Sequence, residues 1–174
     1  MEFQNKVVAI TGASGGIGRE LCRHFAASGA TIAAVDRSDA VEAFVESLRL
    51  GGTKAVAVVV DIGQSAVIGK AFAEMASALG DIDILINNAG ATKHPSLEGT
   101  TPDGFAEEVT TNLNGAYNCA YAVLPAMKAR RAGVIVNIGS VNGLAALGDA
   151  ACNKSVGTGQ GSRVRPLRSF PRMR

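Results

Sequence analysis

The 174-residue sequence predicts an α/β fold, a doubly wound parallel sheet with helices on both faces. Three observations carry that expectation. Short apolar, β-branched runs alternate with stretches whose apolar residues recur at helical spacing. Where the first apolar run meets the first helical stretch, Gly12, Gly15, Gly16 and Gly18 put four glycines within seven residues. The composition, 47% apolar and 18% charged with 21 glycines, suits one soluble domain with many tight turns.

The elements follow in order. Residues 6–10 (KVVAI) read as a buried strand, and Arg19 to Ser28 as a helix carrying Leu21, Cys22, Phe25 and Ala26 on one face. Thr31 to Val35 is a second strand ending at Asp36. Ser38 or Asp39 can cap the next helix, with Val41, Phe44, Val45 and Leu48 inward and Gly51-Gly52 as its stop. Lys54 to Val60 is a continuous apolar run, as in strands covered on both faces. Val67 to Leu79 is helical through Ile68, Ala71, Phe72 and Met75, and Gly80 stops it. Ile82 to Ile86 is a short strand leading into Asn87-Asn88-Ala89-Gly90. A polar loop with Pro95, Gly99 and Pro102 comes next. One long helix is expected from Asp103 to Arg130, bent at Pro125, with Phe105, Val109, Leu113, Ala116, Ala120, Val123 and Leu124 on its apolar face. Val134 to Ile138 is a fifth strand, ending at Gly139-Ser140.

After about residue 151 the character changes. Residues 152–174 form a basic tail with neither helical nor strand period, expected to be disordered. Lys154 and five arginines stand there without an acid, whereas residues 1–152 hold 11 basic against 15 acidic residues. The basic excess therefore belongs to the tail and does not make the domain a nucleic-acid binder. No run of about 18 apolar residues points to a membrane span, and the N-terminus lacks a signal-peptide pattern. Cys22, Cys119 and Cys152 have no metal-ligand spacing, and an odd count argues against a disulfide framework. A reduced, cytoplasmic setting is the expectation.

The chemistry starts at Thr11-Gly12-Ala13-Ser14-Gly15-Gly16-Ile17-Gly18. Strand, glycine turn and helix in succession is the context of a dinucleotide site. Gly12 permits the tight turn, Gly16 lets backbone approach a pyrophosphate, and Gly18 lets helix and strand pack closely. The N–H groups of the helix's first turn then face the phosphates. Asp36, 18 residues past Gly18, can accept from both ribose hydroxyls and repel a 2′-phosphate, which favours NAD over NADP. Arg37 beside it could stack on adenine or meet a 2′-phosphate, which keeps NADP open, and a turn cap is the plain alternative for Asp36. Asp61 can accept from the adenine amino group, and Ile62 can line its ring. Asn88, Ala89 and Gly90 leave backbone open beside a bound ribose, while Asn87 suits bracing of the sheet end.

TGASGGIG, Asp36, Asp61, NNAG at 87–90, Asn112 in TTNLNG and Ser140 in VNIGSVNG occur in the order of the short-chain dehydrogenase/reductase pattern. The chain resembles that family over about residues 3–151, expected as one NAD(P)-binding domain. The resemblance implies a Rossmann-type fold, a nicotinamide cofactor (NAD, with NADP as the alternative) and hydride transfer between an alcohol and a ketone. It adds Thr11, Ser14 and Ile17 to the cofactor-binding set. It gives Ser140 the hydrogen bond to the substrate oxygen and Asn112 a water in the proton path. It also implies a possible homo-oligomer through the 103–130 helix, and no metal.

The family's Tyr-x-x-x-Lys belongs twelve or thirteen residues past the serine. Counting from Ser140 reaches Cys152 or Asn153, and the lysine position falls on Val156 or Gly157. His94, in the loop after NNAG, is either a substrate contact or a surface residue. The expectation is a chain truncated or divergent after about residue 151, without the family's last helix and strand units and impaired in turnover. The alternative is a non-catalytic nucleotide-binding or interaction module.

Overall fold

A computed structural model describes residues 2–92 and 98–140. His94, Cys152 and the expected 152–174 tail lie outside them. Five strands, β1 (Val7–Thr11), β2 (Thr31–Asp36), β3 (Ala55–Val59), β4 (Ile84–Asn87) and β5 (Val134–Asn137), form one sheet in the order β3-β2-β1-β4-β5. Every pairing is parallel, with Val8 opposite both Ile32 and Ile84. The helices are α1 (Gly16–Ala27), α2 (Ala40–Leu50), α3 (Ser65–Leu79), α4 (Pro102–Val109) and α5 (Gly115–Ala129).

The pleat of β1 sorts the core into two layers. Val8 and Ile10 point to α1 and α2, where Cys22, Val41, Phe44, Val45 and Leu48 are buried. Val7 and Ala9 point to α3 and α5, where Ile68, Phe72, Met75, Cys119, Val123 and Met127 are buried. β1 is buried along its whole length, so its apolar run has no polar alternation. Each large aliphatic side chain buried this way contributes about 1.5–3 kcal/mol of transfer free energy.

Two expectations, the start of α1 and the single 103–130 helix, need correction. α1 begins at Gly16, inside the glycine turn rather than at Arg19, so the turn's last glycines are already helical. At the start of α2, where either Ser38 or Asp39 is expected to cap, Asp39 occupies the cap position without a side-chain bond and the Ser38 Oγ accepts from the Ala40 N–H at 3.3 Å. The 103–130 segment is not one regular helix. Between α4 and α5 lies a π-helical segment, Thr110–Asn114, closed by the Gly115 N–H donating to the Thr110 carbonyl five residues back. That wider turn resets the helical phase. The inward face is Gly104 and Glu108 before the step and Gly115, Cys119, Val123 and Met127 after it; the expected inward residue Leu113, within the step, is exposed, as is Phe105 ahead of it. A constant 3.6-residue period cannot register such a step.

β3 packs on both faces, as expected, but it is an edge strand, and its last residue Val59 is exposed. The strand order reverses at β1, with β2 on one side and β4 on the other. In doubly wound sheets the crevice at the carboxyl ends of such strands is where ligands bind.

Candidate functional site: a glycine-walled cleft at the sheet's carboxyl edge

A cleft of about 490 Å³ opens at that edge. Its walls come from the segments following β1 to β4: the glycine turn, Asp36-Arg37-Ser38, Val60-Asp61-Ile62 and Asn88 to Ala91. Thr111, from the π-helical segment, closes one side.

The glycine turn is set by close backbone packing. Gly12 has φ +67°, and a Cβ there would stand 2.8 Å from the Ala89 Cα. At Gly18 a Cβ would collide with the Gly12 carbonyl oxygen. At Gly16 a Cβ would meet nothing within 4 Å, because that position faces open space in the cleft. The Arg19 N–H reaches the Gly15 carbonyl at 2.9 Å, so the Gly16, Ile17 and Gly18 amides lie ahead of the first helical bond. They form a helix N-terminus suited to an anion. Ile17 stands exposed at the mouth.

Asp36 ends β2 across from the turn. Its Oδ2 accepts from the Ser14 N–H (2.9 Å) and the Ser14 hydroxyl (2.8 Å), and its Oδ1 accepts from the Ser38 N–H (3.0 Å). These are the bonds of the turn-capping reading of Asp36, and the residue also lines the cleft. Arg37 is exposed on the cleft wall beside it. Arg19 donates to the Ser14 carbonyl at 2.7 Å, and its guanidinium stacks 4.9 Å from the Phe44 ring centroid. Asp61 lines the cleft and accepts from the Gly63 N–H at 2.9 Å. Ile62 is buried at the cleft floor, and its carbonyl is held by Asn118.

Thr11 is fully buried and does not line the cleft. Its hydroxyl accepts from the Asn88 and Ala89 N–H groups, both at 3.0 Å, and so fixes the NNAG segment over the glycine turn. The Asn88 side chain donates to the Thr11 carbonyl at 2.9 Å, closing the same link from the other side. Asn87 braces the sheet end, donating to the Asn137 side chain (2.9 Å) and the Ala116 carbonyl (3.2 Å). Gly90 faces Asn112, whose side chain clasps the next residue. The Asn112 Oδ1 accepts from the Ala91 N–H at 2.7 Å, and its Nδ2 donates to the Ala91 carbonyl at 2.9 Å.

Asn112 and Ser140 are not among the cleft walls. Ser140 is exposed three residues past Asn137, on the same carboxyl edge of the sheet. Five lining residues were not assigned to the site from the sequence: Gly15, Ser38, Val60, Ala91 and Thr111. Ser38 carried a signal, since a residue two past an aspartate commonly gives its N–H to the carboxylate. Thr111 carried none without the π-helical step.

Among the described residues no cluster of His, Cys, Asp and Glu could hold a metal ion, and no helix is long and apolar enough to cross a membrane. Burial pushes the thiols of Cys22 and Cys119 up to about 12, leaving both as neutral core groups.

Known proteins resemble this chain in both sequence and fold. A 3-oxoacyl-(acyl-carrier-protein) reductase of Staphylococcus epidermidis is 33% identical over 141 residues, covering 80% of this chain and 58% of that protein. Meso-2,3-butanediol dehydrogenase of Serratia marcescens is 37% identical over 145 residues, covering 83% and 57%. The chain thus spans less than two thirds of the length of these relatives. The crystal structure of NAD+-bound xylitol dehydrogenase superposes with a TM-score of 0.86 at 29% identity, over 91% of this chain and 62% of that one. An oxidoreductase structure from Burkholderia thailandensis superposes with a TM-score of 0.79 at 38% identity, over 88% and 58%. The short chain dehydrogenase pattern itself matches residues 6–152. With the glycine turn, the strand order and the NNAG clasp already in place, that match makes the chain a member of the short chain dehydrogenase family.

Proposed function

We propose that the chain binds NAD in the glycine-walled cleft and belongs to an oxidoreductase that interconverts a secondary alcohol and a ketone. One observation carries the reading. Gly16 leaves open space beneath three helix-terminal amides while Gly12 and Gly18 admit no side chain, which is a cradle for a pyrophosphate. The residues present fit the group. The first-turn amides hold phosphate, Asp36 and Ser14 meet the adenosine ribose, Asp61 and Ile62 bound the adenine end, and Asn88 to Gly90 lie toward the nicotinamide end. When bound, the nicotinamide supplies a hydride acceptor or donor. NAD is the preferred form in this reading because a carboxylate ending β2, Asp36, would repel a 2′-phosphate, while Arg37 leaves NADP as the weaker second ligand.

Ser140 would hold the substrate oxygen from the sheet edge, stabilising charge as it develops there. Asn112 fixes Ala91 and through it the NNAG segment, which makes it a positioning residue with its side-chain amide engaged. The relatives act on a 3-oxoacyl group, a butanediol and xylitol, which share a secondary alcohol or its ketone. The exposed Tyr117 and Tyr121 on α5 suit a contact with a second copy.

Cys152 or Asn153 stands where the family's proton-exchanging tyrosine belongs, so nucleotide binding is expected to outlast turnover. Titrating the purified chain with NADH and following nicotinamide fluorescence tests the cleft alone. Enhanced, saturable fluorescence with slow turnover of 2,3-butanediol is the expected result. Absence of saturable NADH binding overturns the reading, and rapid turnover overturns the expected impairment.

A further inference from the structure

We infer that Asn118 on α5 is a positioning residue for recognition of the adenine base, acting through a single peptide group. This rests on the nucleotide reading of the cleft. β3 ends at Val59, so Asp61, Ile62 and Gly63 lie past the strand and take their support from elsewhere. That support is helical. The Asn118 Nδ2 donates to the Ile62 carbonyl at 2.9 Å. The N–H of the same peptide group, carried by Gly63, donates to the Asp61 Oδ1 at 2.9 Å. Asn118, the Ile62–Gly63 peptide and the Asp61 carboxylate therefore form one chain of hydrogen bonds, in which each bond polarises the next. A peptide group gripped at both its oxygen and its N–H is not free to rotate, and it holds Asp61 by Oδ1. Asp61 lines the cleft, and Oδ2 is the oxygen left to accept from an amino group there.

The helix also sets how close this segment comes. A Cβ at Gly115, three residues before Asn118, would stand 2.6 Å from the Ile62 Cγ1 and Cδ1. A Cβ at Gly63 would stand 2.8 Å from the Thr110 Cγ2. Bare backbone at these two points lets Ile62 settle onto α5 and Gly63 onto the π-helical segment. Asn118 is not among the cleft walls, so its effect on the base travels through the Ile62–Gly63 peptide to Asp61.

The test compares NADH with its deaminated analogue, reduced nicotinamide hypoxanthine dinucleotide, which carries an oxygen where adenine carries the amino group. Both are titrated into the full chain and its Asn118→Leu variant, following nicotinamide fluorescence. The unaltered chain is expected to bind NADH about tenfold more tightly than the analogue, the worth of one modest hydrogen bond to a charged group. In Asn118→Leu, which lacks the donor, NADH is expected to weaken and the analogue to hold, bringing the two within about twofold of each other. Should Asn118→Leu not fold, Asn118→Asp keeps the shape without the amide donor and carries the same comparison. If the variant weakens both dinucleotides by the same factor, or keeps the full preference for NADH, Asn118 serves the fold alone and the inference is overturned. If the unaltered chain binds both dinucleotides equally, Asp61 reads no amino group and the inference is likewise overturned, while the cleft's nucleotide role stands. If the unaltered chain binds neither, both fall together.

Discussion

Gly16 and Gly18 are two residues apart and do opposite work. At Gly18 a methyl would drive into the Gly12 carbonyl, so Gly18→Ala must shift backbone. Overpacking of that kind costs about 1–3 kcal/mol. A urea-unfolding series should show that loss, together with loss of NADH binding. At Gly16 a methyl meets only open space and stands in the first turn of α1. Gly16→Ala should leave stability unchanged or raise it by about 0.5–1 kcal/mol, since alanine loses less freedom in a helix. Its NADH affinity should nonetheless fall, because the methyl occupies the approach to the amides. A Gly16→Ala variant with unaltered NADH affinity would remove the pyrophosphate from this position. The sequence named both glycines, but spacing alone could not say which one excludes a side chain by packing and which by leaving room. Thr11 shows the same limit. Its place before the turn was legible, while its role as a buried clasp on Asn88 and Ala89 depends on β4 lying beside β1.

The elements were legible wherever the hydrophobic period was unbroken. β1 and β2 lie within a residue of their expected bounds, and the inward faces of α2 and α3 are those the spacing gave. The strand order was not legible, because periodicity carries no information about which strand neighbours which. The segment from Pro102 to Ala129 misled for a different reason. One π-helical segment rotates everything after it, moving Leu113 to the surface and Gly115 inward against Ile62. The same step aims Asn112 at the Ala91 backbone. Asn112→Ala removes an acceptor and a donor from a part-buried backbone pair, a loss of about 1–3 kcal/mol. Hydrogen exchange should speed at the Ala91 amide far more than at amides in β1. Equal acceleration at both sites would mean that Asn112 supports the whole fold and not this clasp.

Among the described residues the molecule has two half-cores divided by the sheet, and each contains one buried cysteine. Cys22 lies between the sheet and α1, Cys119 between the sheet and α5. Both thiols rise from 9.0 to about 12 on folding, chiefly through burial. The folded state then holds protons that the unfolded chain has begun to release. This stabilisation is complete below about pH 9 and is lost as the pH climbs toward 12. Each thiol contributes a decline of about 1.4 kcal/mol per pH unit in that window. Chemical unfolding at stepped alkaline pH should show a steeper loss for the native chain than for a Cys22→Ala/Cys119→Ala double variant. Parallel slopes would place both thiols in contact with solvent.

The position of β1 also bears on how the chain is made. Among the described strands, the one at the centre of the sheet precedes the other four in the chain, and its β2 neighbour follows soon after. Its other neighbour, β4, begins at residue 84. At about 5–20 residues per second of synthesis, the backbone edge of β1 that pairs with β4 waits several seconds for its partner. During that interval the nascent chain exposes an unpaired strand edge. Slowing translation between β2 and β4 would lengthen the exposure, whereas slowing it after β5 would not.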